Sequence, residues 1–228
     1  MLARLAAPVT LIADPRVLSI PIRECGEPLV DLREIPNIAF DERKRDEADL
    51  WLHARRGVAE LIRQANAACP PGIRLLLIEA YRPIEIQCRY FEAYVARLES
   101  DHPDWDRATI YANASRYVAP PDIDPPHSTG AAVDLTLVGD RGRELDLGTP
   151  VNASPEESGD ACFTEASGLS ATARTNRDLL VRLMTEAGFA NYGTEWWHWS
   201  YGDRYWAFNR GQPAACYAST TPRVGASR

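Results

Sequence analysis

Long apolar runs are missing from this chain of 228 residues. No stretch approaches the ~20 residues needed to cross a bilayer, so no membrane partner is expected. Met1 to Ile20 holds only a short apolar patch broken by Pro8, without the continuous apolar segment of a secretory leader. The expectation is a cytoplasmic protein. Cysteine is scarce: five residues at 25, 69, 88, 162 and 216, odd in number and never spaced C-x-x-C. That argues against a disulfide framework or a zinc knuckle and fits a reducing compartment. A basic excess is also absent. Twenty-five Lys and Arg against 32 Asp and Glu leave a net charge of −7, the wrong sign for a partner with a phosphate backbone. No internal repeat is visible.

What remains is an ordinary globular composition, with 45% hydrophobic and 25% charged residues, enough for one core. Apolar residues at Leu50, Ala54, Val58, Leu61 and Ala65 recur at helical spacing and predict a helix from about 46 to 68, stopped by Pro70-Pro71-Gly72. Ile73 to Ile78 suits a buried strand. A second helix begins near Pro83, a short one is expected near 105–116, and a third at 171–187 is ended by Gly188. Ala131 to Val138 and Trp197 to Trp206 read as strands, and residues 139–170 as a long surface loop. Helices interspersed with strands favour an α+β fold. The expectation is a single domain over 1–210, with the small, polar segment 211–228 a flexible tail.

Only four histidines exist, His53, His102, His127 and His198. Two of them lie in the least ordinary segments, His127-Ser-Thr-Gly-Ala-Ala-Val-Asp134 and Glu195-Trp-Trp-His198. Seven extended residues span roughly 23 Å, so His127 and Asp134 can share a metal only if the backbone folds back between them. Gly130 permits that reversal. Two imidazoles and a carboxylate form a common catalytic zinc set with a position left open for water, and Glu195 is placed to serve as a base that is not itself a ligand. Each segment alone also reads as ordinary core. His102, among Asp101, Asp104 and Asp106, reads more naturally as part of a loop and helix cap, and His53 falls inside the first expected helix.

Taken together, H-x-x-G-x-A-x-D followed by E-x-W-H resembles the signature of the D-alanyl-D-alanine dipeptidases, within the wider zinc D,D-peptidase family. Glu79-Ala-Tyr-Arg-Pro83 and Glu144-Leu-Asp-Leu-Gly-Thr-Pro150 resemble two further segments of that family, in the same order. The resemblance implies a small, mainly antiparallel sheet flanked by helices. It also implies one zinc ion held by His127, Asp134 and His198, Glu195 as acid and base, and Arg82 stabilising the tetrahedral intermediate. The implied substrate is a small D,D-dipeptide. The chain departs from the family at Pro125 for Ser, Glu79 for Asp, and Val151-Asn152 for Phe-Asp. Tyr81, Asp146 and Trp199 are candidates for holding the substrate termini by their nearness to the motifs. A carboxypeptidase trimming longer peptidoglycan stems and a non-catalytic zinc-binding module are the alternative readings.

Overall fold

The computed structural model describes residues 9–222. Its strands are β1 (Leu29–Asp31), β2 (Ala39–Phe40), β3 (His53–Arg55), β4 (Ile73–Glu79), β5 (Ala132–Gly139), β6 (Ala190–Asn191) and β7 (His198–Ser200). Its helices are α1 (Pro15–Leu18), α2 (Arg56–Ala67), α3 (Ile84–Asp101), α4 (Arg107–Tyr117), α5 (Pro126–Thr129), α6 (Pro155–Ser158), α7 (Ala171–Glu186) and α8 (Arg204–Asn209). The apolar run at 73–78 forms β4, and with β5 it makes the centre of a five-stranded sheet in the order β2-β4-β5-β7-β6. Only the β2–β4 pair is parallel. The fold is thus the expected α+β domain, a small and mainly antiparallel sheet flanked by helices.

Helix periodicity decides how the sheet is covered. Val58, Ile62 and Ala65 on α2 and Leu180, Leu183 and Met184 on α7 are buried together with Leu75, Leu77, Leu135 and Leu137 of the central strands. Each large aliphatic side chain removed from water there contributes about 1.5–3 kcal/mol. Ser170 caps α7 by accepting from Ala173 N, and Gly188, at φ 103°, turns the chain out of it. Beside the sheet, α3 and α4 pack through aromatic pairs, Phe91 with Tyr111 and Tyr94 with Tyr117, each with ring centroids 5.1 Å apart.

Three expectations need correction. The helix expected from 46 begins only at Arg56, because His53–Arg55 pairs antiparallel with Leu29–Asp31. Pairing with a segment distant in sequence overrides the helical spacing of Leu50 and Ala54. The last strand is only His198–Ser200. Asp203 then accepts from Trp206 N and starts α8, so Trp206 is helical. The segment expected to fray from 211 is held through 222. Cys216 N and Tyr217 N both donate to Gly202 O, and Tyr217 is 2% exposed. Ala218 N donates to the Glu24 carboxylate and Thr220 N to Ser128 O. Residues 223–228 of that segment lie outside the described residues.

The long loop 139–170 is shaped from within by Arg177 of α7. This guanidinium is fully buried, and its partners are carbonyls: Leu147 O, Ala161 O and Phe163 O. It also lies over the Trp196 ring at 5.6 Å. Burial pulls its pKa down to about 10, so the cation persists at neutral pH. Arg177→Ala would leave the buried Leu147 carbonyl and the partly buried Ala161 and Phe163 carbonyls without their donor. The expected cost is about 3 kcal/mol or more, read as a lowered denaturant midpoint.

Candidate metal centre and active site

Register across the three central strands sets the site. Asp134 of β5 is paired on one side with Glu79 of β4 and on the other with His198 of β7. Between Leu77 and Glu79 the β4–β5 register shifts, a bulge that puts Glu79 rather than Ile78 opposite Asp134. Laterally paired side chains share a sheet face, so two carboxylates and an imidazole meet there, all buried.

His127 reaches the same place from α5, a single helical turn that folds back as the sequence requires. Gly130 follows it at φ 72°, in the left-handed region where any side chain is strained, and a Cβ there would also press on the Leu29 side chain. The turn is fastened to the end of β4: Arg82 N donates to His127 O, and Ser128 Oγ to Arg82 O. His127 Nδ1 lies 2.6 Å from Ala80 O. A carbonyl can only accept, so Nδ1 donates to it and Nε2 is the nitrogen left facing inward.

That Nε2 is 3.2 Å from His198 Nδ1 and 3.4 Å from Asp134 Oδ1, and the latter two atoms are 3.0 Å apart. Burial alone would raise the Asp134 carboxyl, but the two imidazoles hold it well below the usual carboxylate range. Three donor atoms converging at these separations fit a metal ion, since at most protons could otherwise sit between them. His198 Nε2, buried and without a partner, makes no competing bond that would turn the ring away. Among the described residues this is the only group of three or more His, Cys, Asp or Glu so arranged. The rival histidines lie elsewhere. His102 ends α3 and stacks on Trp105 at 3.8 Å, and His53 is in β3.

Arg82 and Glu195 line the same cavity, of about 440 Å³, as the three metal-site residues. Arg82 is gripped by both oxygens of Glu79, at 2.7 and 2.6 Å, and by Gln87 Oε1 at 2.8 Å. Burial would raise the Glu79 carboxyl, yet the charge and hydrogen bonds of Arg82 outweigh it and hold it low. Glu195 sits in the turn before β7, where Tyr192 O accepts from its N–H and its own carbonyl accepts from His198 N. Burial pushes its carboxyl up to about 7, against the pull of His198 and with the push of Asp134. The cavity wall is aromatic around Tyr90, Tyr94, Tyr117 and Tyr192.

Tyr81, Asp146 and Trp199 do not line it. The Tyr81 hydroxyl donates to Thr220 O, Asp146 accepts from Gly148 N, and Trp199 Nε1 donates to Trp196 O. Sequence reasoning missed Gln87, which receives Arg82 and donates to Ala119 O, and Asp203, which is fully buried beside the histidines. Burial raises the Asp203 carboxyl, partly offset by Trp206 N–H, Ser200 and the charge of His198. A glutamine one turn into a helix and an aspartate at a helix cap carry no pattern of their own. The substitution of Asn152 places a neutral amide on the cavity wall.

Known proteins are similar to this chain. The peptidase M15 family model, described as D-ala-D-ala dipeptidase, matches residues 36–219. A D-alanyl-D-alanine dipeptidase of Synechocystis sp. is 32% identical over 223 residues, 86% of this chain and 90% of that one. One from Escherichia coli is 29% identical over 152 residues, 67% of each chain. Among solved structures, VanYB in complex with D-alanine-D-alanine aligns with TM-score 0.42 and 18% identity over 70% of this chain and 79% of that one. The chain is a metallopeptidase. It belongs to the D-ala-D-ala dipeptidase family.

The Glu79–Arg82 pair is nearly closed to solvent, with side chains 4% and 12% exposed. Glu79→Ala would strand the guanidinium without its counter-charge. The expected loss is about 3 kcal/mol, measured as a fall in thermal midpoint relative to wild type.

Proposed function

We propose that His127, Asp134 and His198 hold one zinc ion and that the chain hydrolyses D-alanyl-D-alanine, or closely similar D,D-dipeptides, to free amino acids. The observation that carries this reading is the convergence of three metal-donor atoms with a carboxyl raised to about 7 on one cavity. The family membership and the names of the relatives support the substrate class. When bound, zinc supplies a Lewis acid that makes water a competent nucleophile at neutral pH.

The remaining work falls to side chains. Glu195 takes the proton of the attacking water and returns it to the leaving amine, a task for which a carboxyl near neutrality is well matched. Arg82 uses the N–H bonds left free by Glu79 and Gln87 to stabilise negative charge as it develops on the scissile carbonyl oxygen. Because Glu79 and Gln87 fix the guanidinium beforehand, little reorganisation accompanies that step. Trp197, Tyr117 and Tyr192 exclude bulk water. Among the described residues no helix is long and apolar enough to cross a membrane, and a cytoplasmic setting goes with this proposal.

The first test is release of free D-alanine from D-Ala-D-Ala by zinc-loaded protein beside a chelated sample. Metal-dependent release is expected, and no release with zinc bound at one ion per chain would overturn the dipeptidase reading. Glu195→Ala should bind zinc at that same stoichiometry while turnover falls by about a thousandfold or more. Near-normal turnover would remove Glu195 from the mechanism. As a base, Glu195 works only when ionised, so kcat/KM should fall as pH drops through its pKa. The inflection is expected at or below 7, since a bound cation draws the pKa down.

A further inference from the structure

A dipeptide brings a charged carboxylate into the cavity, and the cations on the wall are not equally free to receive it. Arg82 is occupied by Glu79 and Gln87. Arg97, half exposed, sits 3.6 Å from Asp101 and 3.8 Å from Glu157. Lys44 has no carboxylate within ion-pair distance among the described residues, and it is only partly exposed. Its ammonium lies 5.0 Å from the centroid of the Tyr90 ring, and the Arg82 guanidinium lies 5.0 Å from that same centroid.

We propose that Lys44 receives the free α-carboxylate of the substrate, fixing which peptide bond reaches Arg82 and the metal centre. The assignment rests on the dipeptidase reading above. Its geometry follows from the shared ring. The two cations can be no farther apart than twice their common distance from the Tyr90 centroid. Within that limit fit one residue's rise of about 3.4 Å and a charge-assisted hydrogen bond of about 2.8 Å at each end. That limit is compatible with a scissile carbonyl oxygen at Arg82 and the carboxylate of the following residue at Lys44. The ring keeps the ammonium in place by a cation–π contact without neutralising it.

The other end of the substrate meets no such charge. The carboxylates on the cavity wall are Asp134 and Glu195, both already engaged in the chemistry, and Asn152 is neutral. Charge recognition is thus concentrated at the carboxyl terminus.

The test compares zinc-loaded wild type, Lys44→Met and Lys44→Arg on D-Ala-D-Ala and on its C-terminal amide, D-alanyl-D-alaninamide. The quantity read is the ratio of kcat/KM for the acid to that for the amide, because a purely structural defect lowers both together. Wild type should favour the acid. Lys44→Met should reduce the ratio by about tenfold or more, mainly through KM for the acid, and Lys44→Arg should restore much of it. A ratio in Lys44→Met equal to that of wild type would overturn the assignment. Wild type that cuts no free dipeptide would instead overturn the dipeptidase reading. In that case the same ratio on N-acetyl-D-Ala-D-Ala and its amide decides the role of Lys44, and failure to cut any of the four compounds rejects both.

Discussion

Two carboxylates, Glu79 and Asp134, face each other across paired strands in the interior, and the site is organised around keeping both ionised. Like charges directly opposite in a sheet repel, and a buried charge without compensation is among the costliest groups a fold can contain. The structure gives each its own counter-charge. Arg82, three residues beyond Glu79, curls back onto it through two hydrogen bonds. Asp134 is left for the two imidazoles and the cation they imply. Under the proposed mechanism the groups that balance the pair are also those with chemical work to do, so stability and activity would draw on the same contacts.

Holding that balance requires fixing residues far apart in sequence, and the fixing is done largely by backbone. His127 is set by the carbonyl of Ala80 and by the amide of Arg82. Arg55, 3% exposed, reaches Thr129 O, Glu27 O and Ala218 O as well as the Glu24 carboxylate. One buried side chain thereby ties the amino-terminal loops, the turn carrying His127 and the segment near residue 218. Thr220 N donates to Ser128 O, and Tyr81 returns the contact to Thr220 O. On the other side, Trp196 Nε1 donates to Thr149 Oγ1 and couples the Arg177-centred loop to the turn bearing Glu195.

The three residues that converge, His127, Asp134 and His198, stood out in the sequence as residue types suited to a metal around a fold-back, and Gly130 announces that fold-back. The central strand at 73–79 and the helix at 171–186 were legible from apolar continuity and periodicity. The start of α2 was not, because Leu50 and Ala54 keep helical spacing while a strand from 29–31 claims the backbone beside them. Tyr81, Asp146 and Trp199 sit next to the motifs in sequence but are turned to other partners, and only Trp199, beside His198 in β7, owes this to the alternation of faces along a strand. Gln87, Lys44 and Asp203 reach the site only through packing of separate elements, and no local pattern signals such convergence.

The order of the ligands along the chain has a consequence for synthesis. His127 and Asp134 emerge early, but His198 joins them only when β7 has paired with β5, and the turn holding His127 is secured by a contact from residue 220. A nascent chain shorter than that exposes a histidine and an aspartate with no complete coordination sphere. If those three residues hold the proposed zinc, the full ligand set comes together only after nearly the whole polypeptide has been translated.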